Sequence, residues 1–221
     1  PDPDFLTRLR QHAIQVNNVY ATNFNINIAA AITCVKPSGT VSQLVDSASG
    51  IHARHSRYYI RRVRGDNKDP LTQFMIQSGV PSEPDVMKPH STSVFSFPIK
   101  APEHGVLRES MSAIQQLEVC DKYTKYWAEH KVSITVSVKE QEWPEVGAWV
   151  WEHFDDISGI SFLPYSEHTY QQAPYEECTE EQYNELLLKM PSEIDWDTLV
   201  EDDDNVEGAQ QLACAGGVCE I

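Results

Sequence analysis

The sequence predicts an α/β fold. Short β-branched segments alternate along the chain with longer segments whose apolar residues recur at helical spacing, and this alternation is typical of α/β domains. The 221 residues, 41% of them apolar, are enough for one sizeable domain with a hydrophobic core. The longest apolar run, residues 28–35, is far shorter than the roughly 20 residues that a membrane-spanning helix needs, so no membrane contact is expected.

The first elements predicted are a helix, a strand and a loop that leads into a second helix. Residues 4–20 place apolar side chains close to helical spacing. The compact apolar run NINIAAAITCV, residues 25–35, predicts a buried strand. It continues directly into KPSGT, residues 36–40, and then into VSQLVDSA, which can form a helix.

The remaining elements continue the alternation up to Pro191. Strands are predicted at VFSFPI (94–99), VSITVSV (132–138) and GISFLPYS (159–166), and helices at 112–130, 144–154 and 179–190. Thr179 can cap the last helix, and the acids of its first turn suit the helix dipole. Beyond Pro191 the chain is acidic and poor in apolar residues. We therefore divide it into a domain of residues 1–191 and a mobile tail of residues 192–221.

Charge is distributed unevenly. Residues 1–100 contain 11 Lys/Arg and 7 Asp/Glu, a net charge of +4, and residues 101–221 contain 6 and 26, a net charge of −20, which together give −16. A negative overall field disfavours non-specific nucleic-acid binding, so no nucleic-acid partner is expected. The sequence shows no secretory signal and opens PDPDF without an initiator Met, so we expect a cytoplasmic piece of a longer protein.

The segment KPSGTVS is the first candidate binding site. A strand that ends in a small-residue loop before a helix presents backbone N–H groups to an anion, and the hydroxyls of Ser38, Thr40 and Ser42 add further donors. Gly39 would let the backbone approach a ligand closely. The segment lacks the GxxxxGK[ST] pattern of a Walker A loop. The residues themselves fit two interpretations, a phosphate cradle or an ordinary helix start capped by a hydroxyl.

Five arginines lie within Arg54–Arg64, with β-forming residues between them. They fit either a binding site for a polyanion or a solvated edge strand. His52 and His55 form an HxxH pair, but no cysteine or carboxylate lies nearby in sequence to complete a zinc site, so a structural role is favoured.

Two of the five cysteines, Cys214 and Cys219, stand in the terminal CAGGVC. Four residues that include two glycines separate them, so they can close into a disulfide without backbone strain. On a mobile arm such a pair could carry electrons between two partners by thiol–disulfide exchange. Half of a zinc site and two incidental cysteines are the alternatives. The other three, Cys34, Cys120 and Cys178, are expected to act as small apolar side chains.

Four stretches of the chain together carry a family resemblance. In order they are ITCVKPSGTVSQLVDSASGIHARHSRYYIRRVRGDN, QQLEVCDKYTKYWAEHKVSITVSVKEQE, GISFLPYSEHTYQQAPYEECTEEQY and CAGGVC. They resemble segments of adenosylcobalamin-dependent (class II) ribonucleotide reductases, particularly the monomeric ribonucleoside-triphosphate reductases. The resemblance extends over nearly the whole chain, and several motifs in the same order are far more specific than any one alone.

The resemblance implies that the chain is the C-terminal portion of a ten-stranded α/β barrel with a flexible C-terminal tail. The loop that would bind the phosphates of a ribonucleoside triphosphate comprises Pro37, Ser38, Gly39, Thr40 and Ser42. Cys214 and Cys219 would reduce a disulfide left in the active site after each turnover, and thioredoxin or a similar dithiol would recharge them. The implied cofactor is adenosylcobalamin, and the implied oligomeric state is a monomer.

In this family, homolysis of the cobalt–carbon bond generates a thiyl radical that abstracts the ribose 3′-hydrogen, and the 2′-hydroxyl leaves as water. The thiyl cysteine and the active-site reducing pair lie upstream in the family, so this chain alone is expected to be inactive. Cys34 precedes the loop and is expected to be a core residue of the strand. The chain has no DxHxxG motif, so a histidine bound to cobalt is not expected.

Other functions stay open. A reductase with a separate metal-radical subunit also has a cysteine tail, but the KPSGT loop and the arginines that follow look more like the cobalamin class. From a different class, a non-catalytic phosphate-binding module could carry terminal thiols that bind metal or have no role. A radical cysteine upstream in the same reading frame would favour the enzyme, and a start codon just before Pro1 would favour the module.

Overall fold

The computed structural model describes residues 1–36, 38, 41–165 and 170–201. The chain forms two compact units. The first comprises the described residues within Pro1–Arg54 and Val106–Ser166, and the second those within His55–Gly105 and Glu167–Ile221.

Helices and strands alternate along the described residues, as the sequence predicts. The helices are α1 Pro3–Phe24, α2 Val41–Leu44, α3 Pro70–Gln77, α4 Ala113–Tyr126, α5 Trp143–Glu152 and α6 Glu180–Lys189. The strands are β1 Tyr58–Asp66, β2 Ser82–Pro84, β3 Thr92–Lys100, β4 Thr135–Val138, β5 Ser161–Pro164 and β6 Tyr175–Glu177. The α/β class is therefore confirmed, and the strands of the described residues form one four-stranded and one two-stranded sheet.

The core of the first unit lies between helix α4 and the parallel pair β4–β5. Leu117 and Cys120 of α4 are buried with Val136 and Val138 of β4, alternate residues that share one strand face. Helix α4 starts at Ser112 with a capping box. The Ser112 hydroxyl accepts the Gln115 N–H, and the Gln115 side chain accepts the Ser112 N–H. The position of Cys120 confirms its prediction as a small apolar side chain.

The buried strand predicted over residues 25–35 is wrong. Ile26 and Ile28 are 64% and 57% exposed. Among the described residues, the segment makes one β-bridge, a parallel one from Val35 to Val132. The Glu129 carboxylate accepts the N–H groups of Ile32 and Thr33. These two groups are therefore not available for hydrogen bonds to a neighbouring strand. Cys34, expected to be a core residue of this strand, is exposed.

The second unit is built on an antiparallel sheet of order β2-β3-β1-β6. Strand β1 holds Arg61, Arg62 and Arg64 and lies inside the sheet, with Phe97 of β3 opposite Arg61 on one side and Tyr175 of β6 on the other. The solvated edge strand considered for the arginines is therefore wrong. The sequence pattern gives no sign of β6, which is only three residues long.

Residues 192–201, the described part of the predicted tail, include a one-turn helix at Trp196–Thr198, and the Trp196 ring lies 5.4 Å from that of Phe74. Residues 202–221 lie outside the described part of the chain. No helix among the described residues has the length and apolarity needed to cross a membrane.

Candidate phosphate-binding loop

The loop predicted to bind phosphate begins where Val35 leaves its bridge to Val132. The Ser133 N–H donates to the Val35 carbonyl over 3.1 Å, which aligns this end of the segment parallel to the chain that leads into β4. Of the five residues predicted to bind phosphate, Ser38 and Ser42 are described. Pro37, Gly39 and Thr40 lie outside the described residues, so their role stays a prediction.

Ser38 is half-buried and braced on both of its oxygens. Its hydroxyl oxygen accepts the Gly50 N–H over 2.9 Å, and its carbonyl accepts the Ser42 N–H over 3.2 Å. Among the described residues, the Ser38 hydroxyl proton has no acceptor. A hydroxyl can accept and donate at once, so Ser38 can still donate to an anion.

Ser42 supports the loop from inside. It is 4% exposed, and its hydroxyl donates to the Ser38 carbonyl. That proton is therefore directed at the loop backbone, which favours a bracing role for the Ser42 side chain. This is a local side-chain–backbone bond from the second residue of α2 to the loop before the helix.

The turn at Gly50 supports the loop through its N–H bond to Ser38, and the sequence patterns do not identify it. Gly50 has φ +55°, a left-handed conformation that L side chains rarely adopt, and an added Cβ would lie 3.0 Å from the Lys36 carbonyl oxygen. Only glycine therefore lets this turn lie against the loop with its N–H on Ser38. The one sequence signal is a glycine in the polar stretch SASG, which many surface turns share.

His52 joins this turn to β4. Its Nδ1 lies 2.6 Å from the Ser49 carbonyl, and its Nε2 accepts the Thr135 N–H over 2.9 Å. These contacts require a neutral ring with the proton on Nδ1. Burial lowers the pKa of His52 below its ordinary value of 6.5, although the hydrogen bond to Ser49 opposes the shift. The described residues include no group of three or more His, Cys, Asp or Glu placed to hold a metal.

Arg54 fixes the segment that follows α2. Its side chain is 6% exposed and donates to the Asp46 carboxylate over 2.7 Å. Asp46 adopts a left-handed backbone conformation with φ 48°. A buried guanidinium needs a partner of this kind, and here the partner belongs to the protein itself. Arg54 therefore supports the loop region as a structural ion pair.

Within the second unit, the arginines of β1 fasten the segment 172–176. Arg62 donates to the Glu176 carboxylate and to the Ala173 carbonyl, and Arg64 donates to Asp85 over 2.8 Å and to the Gln172 carbonyl over 3.0 Å. Burial alone would raise the pKa of Asp85. The bonds from Arg64 and from the N–H groups of residues 87 and 88 outweigh burial and hold that pKa below its ordinary value. These contacts give Arg62 and Arg64 a structural role.

The predicted redox pair, Cys214 and Cys219, lies outside the described residues. The described cysteines, Cys34, Cys120 and Cys178, are not in disulfides. Burial raises the pKa of the Cys120 thiol, and burial with the nearby Glu176 and Glu177 raises that of Cys178. Neither environment favours a reactive thiolate.

Comparison with known proteins gives a consistent set of relatives, although no family model matches the chain. An adenosylcobalamin-dependent ribonucleoside-triphosphate reductase of Lactobacillus gasseri is 29% identical over all of this chain and 31% of its own length. The Euglena gracilis enzyme of the same name is 32% identical over 85% of this chain and 26% of its own length. A probable enzyme of this name from Dictyostelium discoideum is 34% identical over 72% of this chain.

The structural comparison agrees. The crystal structure of a B-12 dependent (class II) ribonucleotide reductase superposes with a TM-score of 0.73 at 26% identity, over 87% of this chain and 27% of that one. The resemblance predicted from the sequence is thereby confirmed. This chain spans about a third or less of the length of these relatives.

Proposed function

We infer that the chain belongs to the adenosylcobalamin-dependent ribonucleotide reductases and is part of a ribonucleoside-triphosphate reductase. The observation that carries this inference is similarity along 72–100% of the chain to reductases from bacteria and protists, together with the matching fold. The reaction of the complete protein is the conversion of ribonucleoside triphosphates to 2′-deoxyribonucleotides. From the same resemblance we propose that the complete protein is a cytoplasmic monomer.

The loop formed by Pro37, Ser38, Gly39, Thr40 and Ser42 is the proposed site for the substrate phosphates. The contacts of Ser38 support this, because its hydroxyl proton has no acceptor among the described residues while its oxygens are held by Gly50 and Ser42. Ser38 and Ser42, the two described residues of this loop, are held before the ligand arrives and therefore lose little entropy on binding. His52 and the Gly50 turn supply that fixation from outside the loop.

The fold proposed for the complete enzyme is the ten-stranded α/β barrel, of which this chain would be the C-terminal portion. The parallel pair β4–β5 and the parallel bridge from Val35 to Val132 support this placement. A row of exposed apolar side chains on α1, which we call the α1 stripe, also supports it, because apolar patches of this kind mark interfaces. The α1 stripe comprises Phe5, Leu9, Val16, Tyr20 and Phe24. We propose that the remainder of the reductase packs against the α1 stripe.

The tail, residues 192–221, is proposed to relay electrons through Cys214 and Cys219. One tail thiolate attacks the active-site disulfide and forms a mixed disulfide, and the second tail thiol releases the reduced pair, leaving the tail oxidised. A dithiol such as that of thioredoxin then reduces the tail by the same exchange. Residues 192–213, between Pro191 and the first tail thiol, include eight Asp or Glu and no Lys or Arg, a composition that suits an arm that visits two partners.

The proposed cofactor of the complete protein is adenosylcobalamin, which would supply the initial radical by cobalt–carbon homolysis. We assign none of the described residues to it. Both ring nitrogens of His52 are engaged with the protein, and the chain has no DxHxxG motif. The contribution assigned to this chain is therefore to hold the substrate phosphates and to deliver electrons.

The direct test is an assay of the complete reductase that contains this chain, with adenosylcobalamin, a ribonucleoside triphosphate and thioredoxin. We expect deoxyribonucleotide formation. Ser38→Ala should lower kcat/KM about 10-fold or more, since a hydrogen bond to a charged group contributes roughly 1.5–3 kcal/mol. Ser82→Ala, an exposed serine on β2, is the matched control. A complete protein that binds the triphosphate without reducing it would support the phosphate-binding module instead.

The tail is tested in the same assay. Cys214→Ser and Cys219→Ser should leave a single turnover intact and abolish thioredoxin-driven multiple turnover, because only re-reduction needs the tail. A variant that cycles normally would remove the relay from the proposal.

A further inference from the structure

Tyr165 lies at the carboxyl ends of two parallel strands. It directly follows β5, and its N–H donates to the carbonyl of Val138, the last residue of β4, over 2.7 Å. Ligands of α/β proteins bind preferentially at this edge of a parallel sheet. The location alone identifies no ligand, but the side chains gathered there point to its charge.

Two cations converge on the Tyr165 ring. The Arg108 guanidinium carbon lies 4.6 Å from the ring centroid, and the Lys139 Nζ lies 5.4 Å from it. Arg108 opens the one-turn helix Arg108–Ser110, and Lys139 is the residue that follows β4. The Lys139 N–H donates to Glu142 over 2.8 Å, so the backbone at this point is fixed.

Among the described residues, neither cation has an acidic partner, and the ion pairs there use other basic residues. The Arg108 Nε is buried and has no hydrogen-bond partner in the part of the chain that the structure describes. The carboxylate of Glu142 already accepts the N–H groups of Ala113 and Lys139. The chain has 33 acidic and 17 basic residues, so two neighbouring cations without a carboxylate are unexpected. A buried donor without a partner is costly, and an anion would remove that cost.

We propose that Arg108, Lys139 and Tyr165 form a binding site for an oxyanion of the phosphate class. Both cations lie over the Tyr165 ring, which attracts them without neutralising their charge, so their N–H donors remain available to a ligand. The planar fork of Arg108 matches a phosphate in two-point geometry, and Lys139 adds a point charge. The site does not depend on the proposed reductase function.

The proposed site and His52, which supports the loop at Ser38, meet opposite ends of β4. Thr135, which His52 contacts, is the first residue of β4, and Lys139 follows the last. At about 3.3 Å per residue, Lys139 lies roughly 13 Å along the strand from Thr135. A phosphate group bound at the Lys139 end of β4 therefore does not also contact the Thr135 end, which His52 meets.

The test is calorimetric titration of the 221-residue chain with inorganic phosphate and, separately, with ATP. The double variant Arg108→Gln/Lys139→Gln should weaken phosphate binding at least 10-fold. The matched control Arg8→Gln/Lys122→Gln removes two exposed cations from the same unit and should bind as the wild type does. Arg108→Lys/Lys139→Arg keeps both charges and should retain binding, which separates loss of charge from loss of fold.

Ser38→Ala distinguishes this site from the proposed substrate loop. If phosphate binding falls in Ser38→Ala and not in the double variant, the anion belongs to the loop, and the present proposal is overturned while the proposed function stands. Absence of phosphate and ATP binding by the wild type would also overturn it. ATP binding much tighter than phosphate binding, with the same loss in the double variant, would identify a nucleotide as the source of the phosphate.

Discussion

At the scale of single residues, the candidate loop depends on contacts that the sequence pattern leaves out. The pattern identifies Ser38 and Ser42 as hydroxyl donors, and the structure shows that the Ser42 hydroxyl points back into the loop. Gly50 and His52 hold the loop from a turn further along the chain. Their role depends on which backbone groups they reach, and that is a property of the folded chain.

His52 makes the stability of the first unit depend on pH. Its Nε2 accepts the Thr135 N–H only when the ring is neutral, and its pKa in the folded chain lies below the ordinary value of 6.5. The contribution is therefore fully present above pH 6.5 and is lost as the pH falls through the folded pKa. We expect the free energy of unfolding, measured with urea, to fall between about pH 7 and pH 5.

The variant His52→Gln, which can still accept the Thr135 N–H but does not titrate, should flatten this part of the pH profile. His130→Gln, at an exposed histidine, should keep the wild-type profile. An unchanged profile in His52→Gln would show that the buried imidazole is not the titrating group.

At the scale of elements, the sequence predicts the long and well-patterned segments. Helices α1, α4, α5 and α6 are confirmed, because their apolar spacing and their caps at Ser112 and Thr179 are local properties of the sequence. Strand β1 forms where β-forming residues lie between the arginines, but it lies inside the sheet and not at the edge that one of the two interpretations required. The predicted strand over 25–35 fails because Glu129, nearly a hundred residues away, takes two of its N–H groups.

The convergence of Arg108, Lys139 and Tyr165 also depends on contacts between segments that are distant in sequence. The three residues lie far apart in sequence: the pairing of β4 with β5 brings Lys139 and Tyr165 together, and Arg108 joins them from a third segment. No spacing rule connects them. A single sequence can therefore identify the KPSGT loop, which is contiguous, and miss a site assembled from three segments.

Gly65 controls the packing of α3 on β1. A Cβ at Gly65 would lie 2.3 Å from the Thr72 Oγ1, and Thr72 is buried on α3. We expect Gly65→Ala to lower the free energy of unfolding by about 1–3 kcal/mol, the usual range for overpacking a core. Chemical denaturation followed by circular dichroism measures the change.

The matched control is Gly147→Ala. Gly147 lies in α5 with open space around an added Cβ, so alanine there should stabilise the helix by up to about 1 kcal/mol. Equal effects of the two substitutions would contradict the packing argument for Gly65.

At the scale of the whole molecule, the chain spans about a third or less of its relatives, and it exposes apolar surface on α1 that the proposed complete enzyme would cover. Leu9→Gln/Tyr20→Gln in the α1 stripe should change the unfolding free energy of this chain by no more than about 0.5 kcal/mol, as at other exposed sites. The same double variant should clearly lower the melting temperature of the complete reductase, because we propose that the stripe is an internal interface there.

Leu6→Gln is the control for this comparison. Leu6 is buried within the first unit, so its replacement should destabilise both the chain and the complete reductase. Equal melting temperatures for the wild-type and double-variant reductases would show that the α1 stripe is not an internal interface.

If this chain receives electrons for a reductase, its terminal thiols must form a disulfide that a dithiol protein can reduce. The chain is oxidised, freed of oxidant and mixed with thioredoxin, thioredoxin reductase and NADPH, and the loss of NADPH is followed. We predict that the wild-type chain rapidly consumes one equivalent of NADPH and that the variant Cys214→Ser/Cys219→Ser consumes none. No consumption by the wild type would show that the terminal thiols form no exchangeable disulfide and would contradict the account.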